Sequence, residues 1–123
     1  MYTNEERQKI HENLDKIKAY LDELRPKLRE EVTVDFGPIT TYANYTREKA
    51  YHITVSKDGI SCREGGLGYD FSKVEKSSWN TTAYTRMDFA VALIQNWFTV
   101  KSTVNTAIQT QNMMLEAINN FEI

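Results

Sequence analysis

Ile10, Leu14, Ile17, Leu21, Leu24 and Leu28 follow one another at alternating steps of four and three residues. A period near 3.5 places them on one stripe of a helix. The positions between them carry charges of both signs, which suits a solvated outer face. The spacing predicts a helix over residues 4–31 with one dry side that must be covered by another element. Pro26 falls inside the pattern. It has no backbone N–H, so the helix should kink or break near Leu24–Arg25.

The middle of the chain changes period from 3.5 to 2. Val32, Val34 and Phe36 alternate with Thr33 and Asp35 before Gly37-Pro38 interrupts the run. Residues Thr40 to Thr46 are rich in Thr and Tyr and suit a second strand. Tyr51, Ile53 and Val55 alternate with His52, Thr54 and Ser56. Asp58-Gly59 then separates them from Ile60-Ser61-Cys62-Arg63. Asp-Gly between alternating runs predicts a two-residue hairpin. With those two residues at the tip, Val55 pairs with Cys62. The stretch Gly65-Gly66-Leu67-Gly68-Tyr69-Asp70-Phe71 reads as a loop, or as a last strand through Leu67, Tyr69 and Phe71. Residues 72–82 read as a polar loop.

The last segment, residues 83–121, returns to helical spacing. Phe89, Leu93, Trp97, Val100, Val104, Ile108, Leu115 and Ile118 form its apolar stripe, and Thr85-Arg86-Met87-Asp88 resembles a capping box. Gln111 interrupts the stripe and several threonines lower helix propensity, so a bend or break is expected near residues 106–111. The fold expected is α+β: one domain over residues 1–123, with a small antiparallel sheet at 32–71 flanked by an N-terminal helix and a long C-terminal helical segment. If unbroken, that last segment would span roughly 54 Å, against a radius of gyration near 14 Å for a domain of this length. Residues 83–123 carry only Arg86, Asp88, Lys101, Glu116 and Glu122 as charged side chains. A long, nearly uncharged helix predicts a homo-oligomer, dimer or higher, joined through the C-terminal helices.

Composition excludes several classes. A net charge of −2 lacks the basic excess of a general nucleic-acid binder. One cysteine, Cys62, and two histidines, His11 and His52, make a poor metal-ligand inventory. No apolar run is long enough to cross a membrane, and the polar N-terminus is unlike a signal peptide, so a cytoplasmic protein is expected. Phosphate-loop, nucleophile-elbow and zinc-protease motifs are missing. His52 and Cys62 are expected on opposite sheet faces, which argues against a dyad. No catalytic residue, metal or cofactor is expected, and the protein reads as non-catalytic.

One stretch combines three means of holding a small nucleotide. Phe71, Trp79 and Tyr84 offer rings for stacking. Asn80 and Thr82 offer hydrogen bonds to a base or ribose. Arg86 beside the start of a helix favours phosphate. The same residues also suit a plain structural role, stapling the helix start to the sheet.

This layout, of helix, small antiparallel sheet and long C-terminal helices without a catalytic motif, resembles the phage-encoded Thoeris anti-defence sponge family, in the class that sequesters cyclic ADP-ribose isomers. The resemblance lies in size and element order over most of the chain. It implies an oligomer that binds a cyclic nucleotide immune signal intact, in the cytoplasm of an infected host cell, with Phe71 or Trp79, Asn80 and Arg86 as contacts. The C-terminal helix departs from that pattern, because beyond Arg86 its only cation is Lys101. Two other readings remain open. One is a protein-binding inhibitor of a host defence enzyme, similar to an anti-CRISPR protein; the other is a structural oligomerisation module.

Overall fold

The computed structural model describes residues 2–36, 39–42, 45–48, 51–64, 67–71 and 81–123; residues 39–42, 45–48, 67, 69 and 81–86 are described by backbone alone. The order of elements is helix, antiparallel strands, then helices, an α+β arrangement. No helix among the described residues is long and apolar enough to cross a membrane.

Helix α1 spans Asn4–Leu24 and starts in a capping box. The Glu6 amide donates to Thr3 Oγ1 at 3.1 Å, and the Thr3 amide donates back to Glu6 Oε1 at 2.9 Å. Two of the amides left over at a helix start are satisfied this way. The apolar seam faces inward: Ile10, Leu14, Ile17 and Leu21 are buried. The helix ends at Leu24, short of the expected residue 31, and tightens into a 3-10 turn at Arg25–Lys27 around Pro26. Pro26 cannot donate to the preceding turn, so the α-helical ladder stops there. Leu28 is extended, with ψ 131°, yet fully buried. It reaches the core from outside the helix.

The strands are β1 (Val32–Phe36), β2 (Ile39–Tyr42), β3 (Tyr45–Glu48), β4 (Tyr51–Ser56), β5 (Gly59–Glu64) and β6 (Leu67–Asp70). Four of them form one antiparallel sheet in the order β1-β4-β5-β6, while β2 and β3 pair as a separate hairpin. The Thr- and Tyr-rich stretch therefore holds two strands, not one. One face of the main sheet is apolar: Val34, Phe36, Tyr51, Ile53, Val55, Ile60 and Cys62 are buried. Alternate residues, Thr33, Asp35, His52, Thr54, Ser61 and Arg63, lie on the opposite face.

The β4–β5 register differs from the sequence expectation. Ile53, not Val55, pairs with Cys62, and Val55 pairs with Ile60. The tip is therefore Lys57-Asp58, with Ser56 opposite Gly59. Two contacts favour this tip. Ser56 Oγ accepts from the Asp58 amide at 3.2 Å, a local turn-forming bond. Arg25 grips the tip from the end of α1, donating to Ser56 O at 2.9 Å and Lys57 O at 2.8 Å. The shift is by two residues, and side chains alternate with period two. Each residue therefore keeps its face, and Cys62 still lies opposite to His52.

Helices α2 (Thr81–Gln95) and α3 (Trp97–Asn119) follow. Because α2 begins at Thr81, Thr85 lies inside the helix and is not a cap. The break between the helices is at Asn96, not at 106–111. The Asn96 side chain donates to Ala92 O at 2.8 Å, and its backbone has φ −105° and ψ 13°. The Asn96 amide donates to the same Ala92 oxygen at 3.0 Å. Asn105 makes an equal backward bond to Lys101 O at 2.9 Å inside unbroken α3, so the side-chain bond accompanies the break and does not by itself cause it. The threonines further along do not break α3: Thr103 Oγ1 donates back to Thr99 O at 2.8 Å within an unbroken helix.

The core lies between the helices and the apolar sheet face. Phe36, Tyr51 and Phe89 meet at its centre, with centroid separations of 5.3–6.1 Å and tilted or edge-on planes. Leu14, Leu21, Leu28, Ile53, Val55, Leu93, Val100 and Val104 surround them, all fully buried. Burial of each such side chain contributes about 1.5–3 kcal/mol.

Candidate functional site

The sequence placed its binding cluster between Phe71 and Arg86. Phe71 is 1% exposed and belongs to the hydrophobic core, so its ring packs inside the protein. Trp79 and Asn80 lie outside the described residues. Thr82, Tyr84 and Arg86 occupy the first two turns of α2, where the backbone places them beside the amides of a helix start.

The polar face of the main sheet carries two cross-strand rows. Asp35, His52, Arg63 and Gly68 form one; Thr33, Thr54, Ser61 and Asp70 form the other. His52 Nδ1 is in hydrogen-bond contact with Asp35 Oδ1, and Thr33 and Thr54 share a hydroxyl bond of 2.8 Å. An aspartate on one imidazole nitrogen orients the other, as in general-base sites. The thiol that could serve as nucleophile is on the wrong side. Cys62 is 2% exposed on the apolar face. Burial pushes its thiol well above the ordinary range, and Asp70 and Glu64 add to the effect. A thiol held protonated is a poor nucleophile. Asp35 and His52 thus form a surface pair, with the Thr33, Thr54 and Ser61 hydroxyls in the neighbouring row of the same face.

A second site lies where α1 passes the break between α2 and α3. Asn13, Lys16, Ile17 and Tyr20 from α1, with Ile94 and Trp97 from the helices opposite, line a groove of about 390 Å³. The Tyr20 and Trp97 rings meet edge to face, with centroids 5.5 Å apart. Asn105 Nδ2 donates to the Tyr20 hydroxyl at 3.0 Å, and Lys101 Nζ lies 5.1 Å from the Tyr20 ring centre. These contacts lock Tyr20 in place. Trp97, the first residue of α3 after Asn96, faces α1 across the groove. Its residues escaped notice because Asn13, Lys16 and Tyr20 look like ordinary members of a solvated helix face. Their spacing of three and four residues was the available signal: it defines a second stripe beside the apolar seam.

The third feature is the far half of α3. At Gln111 the helix is tied to the chain after α1. Gln111 Oε1 accepts from the amides of Arg29 at 2.8 Å and Glu30 at 3.2 Å, and Gln111 Nε2 donates to Glu30 O at 3.1 Å. Gln111 is thus a tether, which explains a polar residue in the apolar stripe. Beyond it the side chains face solvent: Met113 is 67% exposed, Met114 62%, Ile118 69% and Phe121 76%.

Comparison with known proteins finds no match to this chain among family models, curated proteins or solved structures.

Proposed function

We propose that this chain is a non-catalytic binding protein that works as a homo-oligomer and holds a small nucleotide. One observation carries the proposal: the apolar far half of α3 projects beyond its last tether. Met114 and Ile118 on α3, and Phe121 just past its end, follow at steps of four and three and are mostly exposed. An apolar patch of this kind marks an interaction surface. A second copy is the simplest cover, because a two-fold contact presents the same stripe from both sides. Burial of these three residues in each of two copies, at about 1.5 kcal/mol apiece, contributes roughly 9 kcal/mol. That lies within the roughly 4–15 kcal/mol that association costs, so the stripe supports a dimer once neighbouring residues contribute. The α3 side chains Ser102, Thr103, Thr106 and Thr110 line an open groove next to it. These small uncharged side chains suit close approach of a second helix.

The nucleotide part rests on the start of α2, where Thr82, Tyr84 and Arg86 follow Trp79 and Asn80. Free amides at a helix start favour phosphate. Together with the layout resemblance, this supports sequestration of a cyclic nucleotide signal, such as a cyclic ADP-ribose isomer, in place of its turnover. A protein partner is the competing cover for the Met113–Met114 end, because methionine-rich surfaces adapt to other proteins.

Two measurements test the proposal. Light scattering should give a mass near twice the 14.3 kDa chain or a higher multiple, and the double substitution Met114→Asp, Ile118→Asp should return it to one. A monomeric native protein would remove the self-association. A thermal-shift panel of cyclic ADP-ribose isomers and cyclic oligonucleotides should raise Tm, with the ligand recovered intact after heating. No shift with any nucleotide would remove the ligand class, and a consumed ligand would make the protein an enzyme.

A further inference from the structure

The groove between α1 and the α2–α3 break has the makings of a ligand site that the sequence cluster does not include. Its volume of about 390 Å³ lies in the range of small-molecule pockets. Its wall is mainly aromatic and aliphatic, from Trp97, Tyr20, Ile17 and Ile94, with two polar groups on one side, Asn13 and Lys16. Mostly apolar lining with a few convergent polar groups is what a site for a planar ligand needs.

The polar groups are available. Lys16 is exposed and has no ion pair among the described residues. The Asn13 amide has no hydrogen-bond partner among them either. By contrast, Lys18 on the neighbouring face is spent on Asp22 at 3.1 Å. The rings are preorganised: Tyr20 is held by Asn105 and lies under Lys101, and Trp97 is set edge to face against it. A stacking surface that is already fixed loses little entropy on binding.

We infer that this groove takes the base and phosphate of a purine mononucleotide unit. The base stacks on Trp97, with Tyr20 at right angles to that ring closing one side, Asn13 hydrogen-bonds its edge, and Lys16 meets the phosphate. Stacking on an aromatic side chain contributes roughly 1–3 kcal/mol per base. A lysine supplies the point charge that a phosphate needs. The inference rests on the nucleotide reading above and assigns it a different place, on α1 and Trp97 instead of Trp79 and the start of α2. The groove lies at the N-terminal end of α3, and the apolar stripe proposed for self-association lies at the other end. Both can be occupied at once.

The chain has two tryptophans, Trp79 and Trp97, and they separate the two places. AMP and ADP-ribose would be titrated into full-length Trp79→Phe and Trp97→Phe proteins while tryptophan fluorescence is read, with inorganic phosphate as a control. The groove predicts saturable quenching in the Trp79→Phe protein, where Trp97 is the reporter, and none in the Trp97→Phe protein. Lys16→Glu, at an exposed position, should weaken AMP and ADP-ribose binding about ten-fold or more in calorimetry without lowering Tm. Quenching that persists in Trp97→Phe and disappears in Trp79→Phe would overturn the groove but leave the nucleotide reading intact. An unchanged affinity in Lys16→Glu would do the same. No calorimetric signal or quenching with either nucleotide, together with no thermal shift across the wider panel, would overturn both.

Discussion

Arg25→Ala should destabilise the protein through the β4–β5 hairpin, and the size of the effect follows from the geometry. The guanidinium makes three contacts. It donates to Ser56 O at 2.9 Å, to Lys57 O at 2.8 Å and to Asp22 Oδ1 at 2.8 Å. Its side chain is 22% exposed, so neither the full value of a buried charged hydrogen bond nor the small value of a surface pair applies. A charged donor to a carbonyl contributes about 1.5–3 kcal/mol when buried, and an exposed ion pair about 0–1 kcal/mol. The two carbonyl bonds are therefore worth about 0.5–1 kcal/mol each. The Asp22 contact adds little, because Lys18 still holds that carboxylate. The loss should be about 1–2 kcal/mol, a fall in Tm of roughly 4–8 °C for a chain of this size. Alanine carries no helix-propensity penalty that could produce the same fall. Arg25→Lys should recover less than half, since an ammonium cannot bridge two carbonyls as a planar fork does. Urea and thermal unfolding of the three proteins, followed by circular dichroism, measure it. If Arg25→Ala melts within about 1 °C of the native protein, or Arg25→Lys melts with it, the clamp does not hold the hairpin tip.

Gln111→Ala removes three hydrogen bonds at exposed positions and should cost about 1–2 kcal/mol; amide exchange at Arg29 and Glu30 should speed up, and unchanged protection there would contradict the tether. Leu14→Ala opens space at a fully buried position and should cost about 2–5 kcal/mol in urea unfolding; a loss under 1 kcal/mol would mean that α1 packs more loosely than described. Cys62 should resist a thiol reagent at neutral pH in native protein and react at once in denaturant, because burial keeps the thiol inaccessible and protonated; rapid native labelling would show that the sheet opens there. Asp22 sets a pH dependence. Its burial raises the carboxyl, but hydrogen bonds from Lys18 and Arg25 outweigh that and hold it below the ordinary 3.8. A depressed carboxylate stabilises the fold above its unfolded pKa, and the contribution is lost as pH falls through the folded value. Asp22→Asn should therefore flatten the loss of stability on acidification below about pH 4; identical acid limbs would refute it.

Periodicity made most of the elements legible in advance. The 3.5 spacing of Ile10 to Leu21 and the alternation of Tyr51, Ile53 and Val55 depend on local geometry alone, and the structure buries those residues. The polar identity of the other sheet face followed for the same reason. Element ends were less legible. Pro26 marked the end of α1 correctly, because a missing donor is a local fact. Asn96 did not mark the α2–α3 break, because Asn105 makes the same backward bond inside an unbroken helix, so the residue type alone carries no stop signal.

What the sequence alone determined was which residues turn inward and in what order helix and strand occur, since both follow from the period of the apolar positions. The tertiary structure decided the rest through contacts between residues far apart in the chain. Arg25 reaches 31 residues along to set the tip of the β4–β5 hairpin. Gln111 reaches 82 residues back to tether the chain after α1 at Arg29. Tyr20 meets Trp97 and Asn105 to build the wall of a groove. No local pattern encodes such meetings, because they exist only once the core has brought the helices and the sheet together.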